Sequence, residues 1–322
     1  MRVTLESCVW AEYVFSMKSS HAALLFFFFL PGTAVTPARS QNPTTVRGAF
    51  IDIGGQRLHY EECGSGPDAV LLMHDGVVNS SVWDDVWPAF CKRFHTIRYD
   101  RRGYGLSPAT TKPYYEAEDL AALLHDRKIT HAALVASSHG GEVALDFTLR
   151  YSAYVSDLVL VGPAATGFPY SEFFLMREFA RQSEKPQDLM DASTRDPYLI
   201  VAGHDAARKH LHDLLTAAPQ DLTHNDMPLP EKPVFPSVQE IRVPTLILIG
   251  SGDIADNQAV AGALVMSIQG AVRVVVPDAG HLMYLEKPEE FFGQVNTFLS
   301  AWVLKRWCIA LFRITVEKSA YH

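Results

Sequence analysis

Short apolar runs alternate along the chain with stretches of helical spacing. Residues 49–53 and 57–61 are two runs joined by Gly54-Gly55, which predicts a hairpin. Residues 69–73 (AVLLM) are apolar on both faces, as in a buried parallel strand. Residues 96–99, 132–135, 158–161, 245–249 and 272–276 read as further strands. Between them, Leu120 and Leu124 fall in a helix, Val143, Ala144, Phe147 and Tyr151 recur at helical spacing, and 288–302 predicts a closing helix. This alternation predicts an α/β fold, a doubly wound, mostly parallel sheet. From Pro163 to about Glu240 the pattern changes to short helical pieces broken by prolines, which predicts a helical cap. The expected organisation is a core of 46–162 and 241–302, a cap over 163–240, a leading segment 1–45 and an extension 303–322.

Both ends differ from the body. Residues 22–30 (AALLFFFFL) are too short to span a bilayer but suit the core of an export signal, with Lys18 as its positive flank. Met17 is an alternative start. The expectation is therefore an exported protein, periplasmic or secreted; a cytoplasmic protein follows if the segment is a start-site artefact. A buried or membrane-tethering segment is the other reading. Residues 33–45, rich in Pro and Thr, read as a linker. In the tail, Trp307, Ile309, Leu311, Phe312 and Ile314 interleave with Lys305, Arg306 and Arg313. That pattern suits either a basic interfacial helix in weak contact with a membrane surface or a poorly ordered extension.

Composition narrows the function. The 322 residues are 48 % hydrophobic with a formal net charge of −8, and because both ends are net basic the body is more acidic still. Such a body argues against nucleic acid as a partner. Cys8, Cys63, Cys91 and Cys308 show no C-x-x-C spacing, so neither a zinc site nor a redox dithiol is expected. A Cys63–Cys91 disulfide is open to an exported protein, although lone buried thiols are commoner.

The candidate chemistry centres on Leu134-Val135-Ala136-Ser137-Ser138-His139-Gly140-Gly141, where a strand runs into a helix at a serine with small residues two before and two after. This is close to the G-x-S-x-G nucleophile elbow. A plain helix cap at Ser138 is the alternative. Asp253 and His281 each follow a later strand, in the order Ser, Asp, His. Asp256 is a rival acid, and Asp278 reads as a turn residue. His74 reads as a structural histidine that orients its loop. Positions 210 and 212 do not share a helix face, so His204, His210 and His212 do not suggest a metal site. No metal or cofactor is expected.

Four motifs stand in register: His74-Asp75-Gly76, Asp100-Arg101-Arg102-Gly103-Tyr104-Gly105-Leu106-Ser107, the elbow at Ser138, and Gly280-His281 followed by Glu286-Lys287-Pro288-Glu289. With them the chain resembles the α/β-hydrolase superfamily over residues 50–302, in its cap-bearing branch of small esterases, lactonases and carbon–carbon bond hydrolases. The resemblance implies Ser138 as nucleophile, His281 as base and Asp253 as its orienting acid. It also implies an oxyanion hole from the backbone N–H groups of His139 and Gly76, with Val77 the alternative to Gly76. The implied substrate is a small-molecule ester or lactone cleaved through an acyl-enzyme. A vinylogous diketone is the runner-up, and a silent ligand-binding homologue is a third reading. A serine nucleophile argues against the haloalkane dehalogenase and epoxide hydrolase routes. Asp75 departs from the family glycine, and its charge would repel an oxyanion unless it points away. Trp83, Phe168, Tyr170, Phe173, Phe174 and Tyr284 read either as pocket wall or as core.

Overall fold

Four apolar runs without a polar face become the middle of one sheet. The computed structural model describes residues 47–301 apart from 184, 223–227 and 230–231. The leading apolar segment, the linker and the basic tail lie outside the described residues. Two compact units divide the chain: nearly all described residues belong to Pro43–Val295, and of the other unit residues 296–301 are helical.

The strands are β1 (Arg47–Ile53), β2 (Gln56–Cys63), β3 (Ala69–Met73), β4 (His95–Tyr99), β5 (Ala132–Ser137), β6 (Val155–Val161), β7 (Thr245–Gly250) and β8 (Val272–Val276). Their order is β1-β2-β4-β3-β5-β6-β7-β8. Only the β1/β2 and β2/β4 pairs are antiparallel. At Gly54 and Gly55 φ is +62° and +81°, the left-handed backbone that a two-residue hairpin demands. β3, β5 and β7 are buried at every position, which is why they carry no alternation. β8 alternates because it is an edge strand.

The helices are α1 (Trp87–Arg93), α2 (Glu116–Asp126), α3 (His139–Arg150), α4 (Glu172–Ser183), α5 (Pro186–Arg195), α6 (Asp205–Ala217), α7 (Ala255–Ser267) and α8 (Met283–Glu286), followed by helical residues 288–295. Leu120 and Leu124 of α2, Val143 and Phe147 of α3, and Val260 and Leu264 of α7 join one core with Leu71, Leu134, Leu160 and Ile247 of the sheet. α4, α5 and α6 form the insertion between β6 and β7. The Asp100–Ser107 motif is a turn folded on its own carboxylate, since Asp100 accepts from the Leu106 N–H and from Ser80, and a Cβ on Gly105 would strike it at 2.4 Å.

Cys63 and Cys91 form a disulfide with Cα atoms 5.2 Å apart, against the commoner expectation of lone buried thiols. It ties the end of β2 to α1, two elements brought together by burial of Phe90 and Phe94. A sequence separation of 28 predicts that reduction, or the C63A/C91A variant, lowers unfolding free energy by roughly 3–4 kcal/mol. Urea unfolding with and without reductant measures it, and coincident curves would contradict the assignment.

Candidate functional site

Ser138 links β5 to α3 with φ +51° and ψ −116°. For a residue with a side chain this costs of the order of 1–3 kcal/mol and persists only where neighbours fix it. The Ser138 N–H donates to the Val161 carbonyl at 2.9 Å, and its carbonyl accepts from Glu142 and Ala164. A Cβ on Gly140 would lie 2.5 Å from the His74 carbonyl oxygen, so only glycine lets α3 approach β3 here. Ser138 holds the N-cap position of α3, yet its side chain makes no capping bond. The hydroxyl is not spent on the helix.

His281 and Asp253 meet beyond the ends of β8 and β7. His281 Nδ1 is 2.8 Å from Asp253 Oδ2, while Asp253 Oδ1 accepts from the Ile254 N–H at 2.7 Å and from Asn257 Nδ2 at 2.9 Å. These bonds orient the carboxylate and fix which ring nitrogen faces it. Burial pulls the His281 imidazolium down, but the charge and hydrogen bond of Asp253, helped by Asp75 and Asp196, outweigh it. The pKa is raised above its ordinary 6.5. Gly162, with φ +50°, passes beside the pair; a Cβ there would lie 2.8 Å from His281 Nδ1 and 3.0 Å from Asp253 Oδ2.

Asp256 is not the partner of His281. It accepts from the N–H and hydroxyl of Ser171 at 2.6 and 2.8 Å and so anchors the start of the insertion between β6 and β7. Asp278 is a turn residue with φ +50° and a 69 % exposed side chain. His74 orients its loop, with Nδ1 bonded to the Asp75 carbonyl at 2.7 Å and Nε2 accepting from the Arg101 N–H at 3.0 Å. His204, His210 and His212 face three separate partners, Asp278, Asp85 and Thr194.

Ser138, His281, Asp253, Gly76 and His139 all line one cavity of about 990 Å³. A Cβ on Gly76 would lie 3.6 Å from that of His139, so the two main chains are neighbours. Neither N–H donates to another described residue. Val77 differs, because its N–H donates to Asp75 Oδ1 at 2.5 Å. Of the two candidates in this loop, Gly76 has the open donor. Asp75 is fully buried and does not line the cavity; its oxygens face Val77, Val78 and Tyr284.

The ring of His139 lies between two carboxylates, 2.7 Å from Glu116 Oε2 and 2.9 Å from Glu142 Oε2. Burial pulls its pKa down, the Glu116 charge pushes it up, Arg101 opposes, and the two hydrogen bonds carry it to about 9. With 39 % of the side chain exposed, solvent weakens both the burial cost and the pairing, and the direction stands on the two close carboxylates. The residue after Ser138 is thus an imidazolium at neutral pH.

Tyr170 and Phe174 line the cavity as a stacked pair with centroids 4.6 Å apart. The other four aromatic candidates do not line it. Trp83 and Tyr284 are core, Phe168 packs on Tyr170 and Phe235, and Phe173 is 60 % exposed on the outer side of α4. Sequence reasoning missed Asn257 and Gly162. Asn257 follows Asp253 by four residues, the spacing that turns a helix residue back toward its start, whereas nothing local marks Gly162.

Sheet order, strained serine turn and the cavity beside it together describe a hydrolase architecture. The model of the alpha/beta hydrolase family matches residues 70–294, and the chain belongs to this family of enzymes. Mouse serine hydrolase BPHL is 27 % identical over 271 residues, covering 80 % of this chain and 87 % of that protein. The 2-hydroxy-6-oxo-6-(2'-aminophenyl)hexa-2,4-dienoic acid hydrolase of Metapseudomonas resinovorans is 26 % identical over 280 residues, covering 78 % of this chain and 90 % of its own. Among solved structures, an esterase from Exiguobacterium antarcticum superposes with TM-score 0.70 at 24 % identity, over 79 % of this chain and all of that one. These relatives are named as hydrolases or esterases.

The Gly162→Ala variant tests the packing of the site. A methyl group against the His281–Asp253 contact is expected to lower ester hydrolysis on the order of 100-fold by misplacing the ring. Thermal unfolding should remain cooperative. Undiminished turnover would show that Gly162 does not set this geometry.

Proposed function

We propose that the protein is a serine hydrolase that cleaves a small carboxylic ester or lactone through an acyl-enzyme. One observation carries this reading: Ser138, on a left-handed turn with an uncommitted hydroxyl, shares a cavity wall with the paired His281 and Asp253. A serine hydroxyl is a poor nucleophile near neutral pH, so attack needs a base to take its proton as the new bond forms. In this reading His281 Nε2 takes that proton, because Nδ1 is committed to Asp253. Asp253 offsets the imidazolium charge. The developing oxyanion sits between the N–H groups of Gly76 and His139, each such donor being worth about 3 kcal/mol or more. His281 then returns the proton to the leaving alcohol, and water repeats the sequence on the acyl-enzyme.

The positive ring of His139 lies on the same wall and favours negative charge there. Named relatives support ester and lactone substrates, among them the 3-oxoadipate enol-lactonase 2 of Acinetobacter baylyi, 24 % identical over 252 residues. A second reading, carbon–carbon cleavage by the same residues, is favoured by the relative from Metapseudomonas resinovorans, which is named for a substrate that is the enol of a vinylogous diketone. Parallel assays with an ester and a diketone separate the two. Export belongs to the same proposal, since residues 22–30 read as a signal core and the Cys63–Cys91 disulfide suits an oxidising compartment.

The Ser138→Ala variant is expected to lose at least about 10³-fold in hydrolysis of short p-nitrophenyl esters while its folding transition is unchanged. Retained turnover would remove the nucleophile assignment. A fluorophosphonate that labels wild type and not this variant separates catalysis from silent binding. The acid limb follows from the sign of the His281 shift. Only the neutral ring accepts a proton, and the raised pKa keeps it protonated to higher pH, so kcat/KM should fall on acidification with a midpoint above 6.5. A flat profile through that range contradicts the base role.

A further inference from the structure

We propose that Asp75 is a positioning residue, whose buried carboxylate ties the loop that carries the Gly76 N–H to the loop that carries His281. The inference rests on the serine hydrolase reading above and goes beyond it. Three hydrogen bonds converge on this side chain. Oδ1 accepts from the Val77 N–H at 2.5 Å and the Val78 N–H at 3.1 Å, and Oδ2 accepts from the Tyr284 hydroxyl at 2.8 Å. The first two fold the loop after β3 into a turn around its own carboxylate. They also consume the Val77 N–H and leave that of Gly76 open.

The third bond reaches across the site. Tyr284 lies in α8, three residues after His281, and its hydroxyl also meets Ser137 Oγ at 3.1 Å. With the tyrosine proton given to Asp75, Ser137 donates to Tyr284. One carboxylate is thereby bonded to the oxyanion loop directly and, through Tyr284, to the residue before the nucleophile and to the segment after the base. Asp75, Ser137 and Tyr284 all have 0 % exposure. Trp83 packs on the Tyr284 ring with centroids 4.4 Å apart. The Asp75 carbonyl is held as well, accepting from Arg101 at 2.5 Å.

The glycine implied by the family resemblance has no side chain to make this tie. The departure that threatened the oxyanion therefore acts as a brace behind it, because both oxygens are turned to donors away from the cavity wall. The carboxylate also adds to the negative field on His281. The groups facing that ring are Asp253 at 2.8 Å and Asn257 at 3.1 Å, with the charges of Asp75 and Asp196 further off.

Tyr284→Phe keeps the ring and removes only the hydroxyl; Asp75→Asn keeps the size, removes the charge and turns one acceptor oxygen into an amide donor. Tyr284→Phe should lower kcat about tenfold with KM within about twofold of wild type, because the loops lose register and not binding surface. Asp75→Asn should lower kcat and also move the acid limb of kcat/KM to lower pH, since the imidazolium loses one of the negative charges that favour it. Rates are normalised to the folded fraction by circular dichroism, and the rate of fluorophosphonate labelling of Ser138 is followed in parallel. Both variants folded, with kcat, labelling rate and acid limb all unmoved, would overturn the proposal while wild-type labelling kept the hydrolase reading intact. A loss of kcat with an unmoved acid limb in Asp75→Asn would equally overturn the claim that the carboxylate acts on His281. Wild type that neither labels nor turns over esters would overturn the hydrolase reading and this inference together.

Discussion

Everything at the active end of the sheet depends on one strained turn. Ser138 holds a backbone conformation that an isolated peptide avoids, and it holds it because three buried strands leave its neighbours nowhere to go. β6 takes its N–H through Val161, and β3 presses its terminal carbonyls against Gly140. Relaxing the turn would separate α3 from β3 or break the sheet bond. The strain is therefore sustained by core burial, and the hydroxyl is delivered to the cavity without a flexible loop.

Around this turn the charges are arranged as a chain that runs from buried Arg101 and Glu116 to half-exposed His139. Arg101 pairs with Glu116 at 2.8 Å, Glu116 with His139, and His139 with Glu142. A buried ion pair offers little net stability over apolar packing, because desolvation offsets the attraction. What it offers is placement. Arg101 also donates to the Asp75 carbonyl, so the chain runs from the loop after β3 to the residue after Ser138. Burial raises the Glu116 carboxyl, yet the charges and hydrogen bonds of His139 and Arg101 outweigh it and hold that carboxyl well below the usual range. Glu116 thus stays ionised across neutral pH.

Much of this was legible because parallel strands buried on both faces must be continuous apolar runs, and reacting groups gather where such runs end. Ser138 and Asp253 each follow one, His281 follows the edge strand β8, and the Gly54-Gly55 hairpin announces itself by residue type. What the chain could not reveal depends on pairing across space. Cys63 and Cys91 become a disulfide only because β2 and α1 meet. Gly162 is an ordinary loop glycine until β6 and β7 bring it beside His281. Asp75 looked like a liability because its charge was visible and its three donors were not. The aromatic candidates divided for the same reason: Tyr170 and Phe174 face the cavity and Trp83 the core, although composition treats them alike.

The two acids of one turn show how the insertion and the site are joined. Asp253 and Asp256 stand three residues apart at the start of α7, and either could have been the partner of the histidine on spacing alone. Asp253 turns inward, where Asn257 from the first turn of α7 fixes its second oxygen. Asp256 turns to Ser171, one residue before α4 begins, and the Ser171 hydroxyl in turn accepts from the Phe174 N–H. Phe174 lines the cavity. The same helix start thus orients the acid beneath His281 and anchors the wall that closes over it, so a shift of α7 reaches both at once.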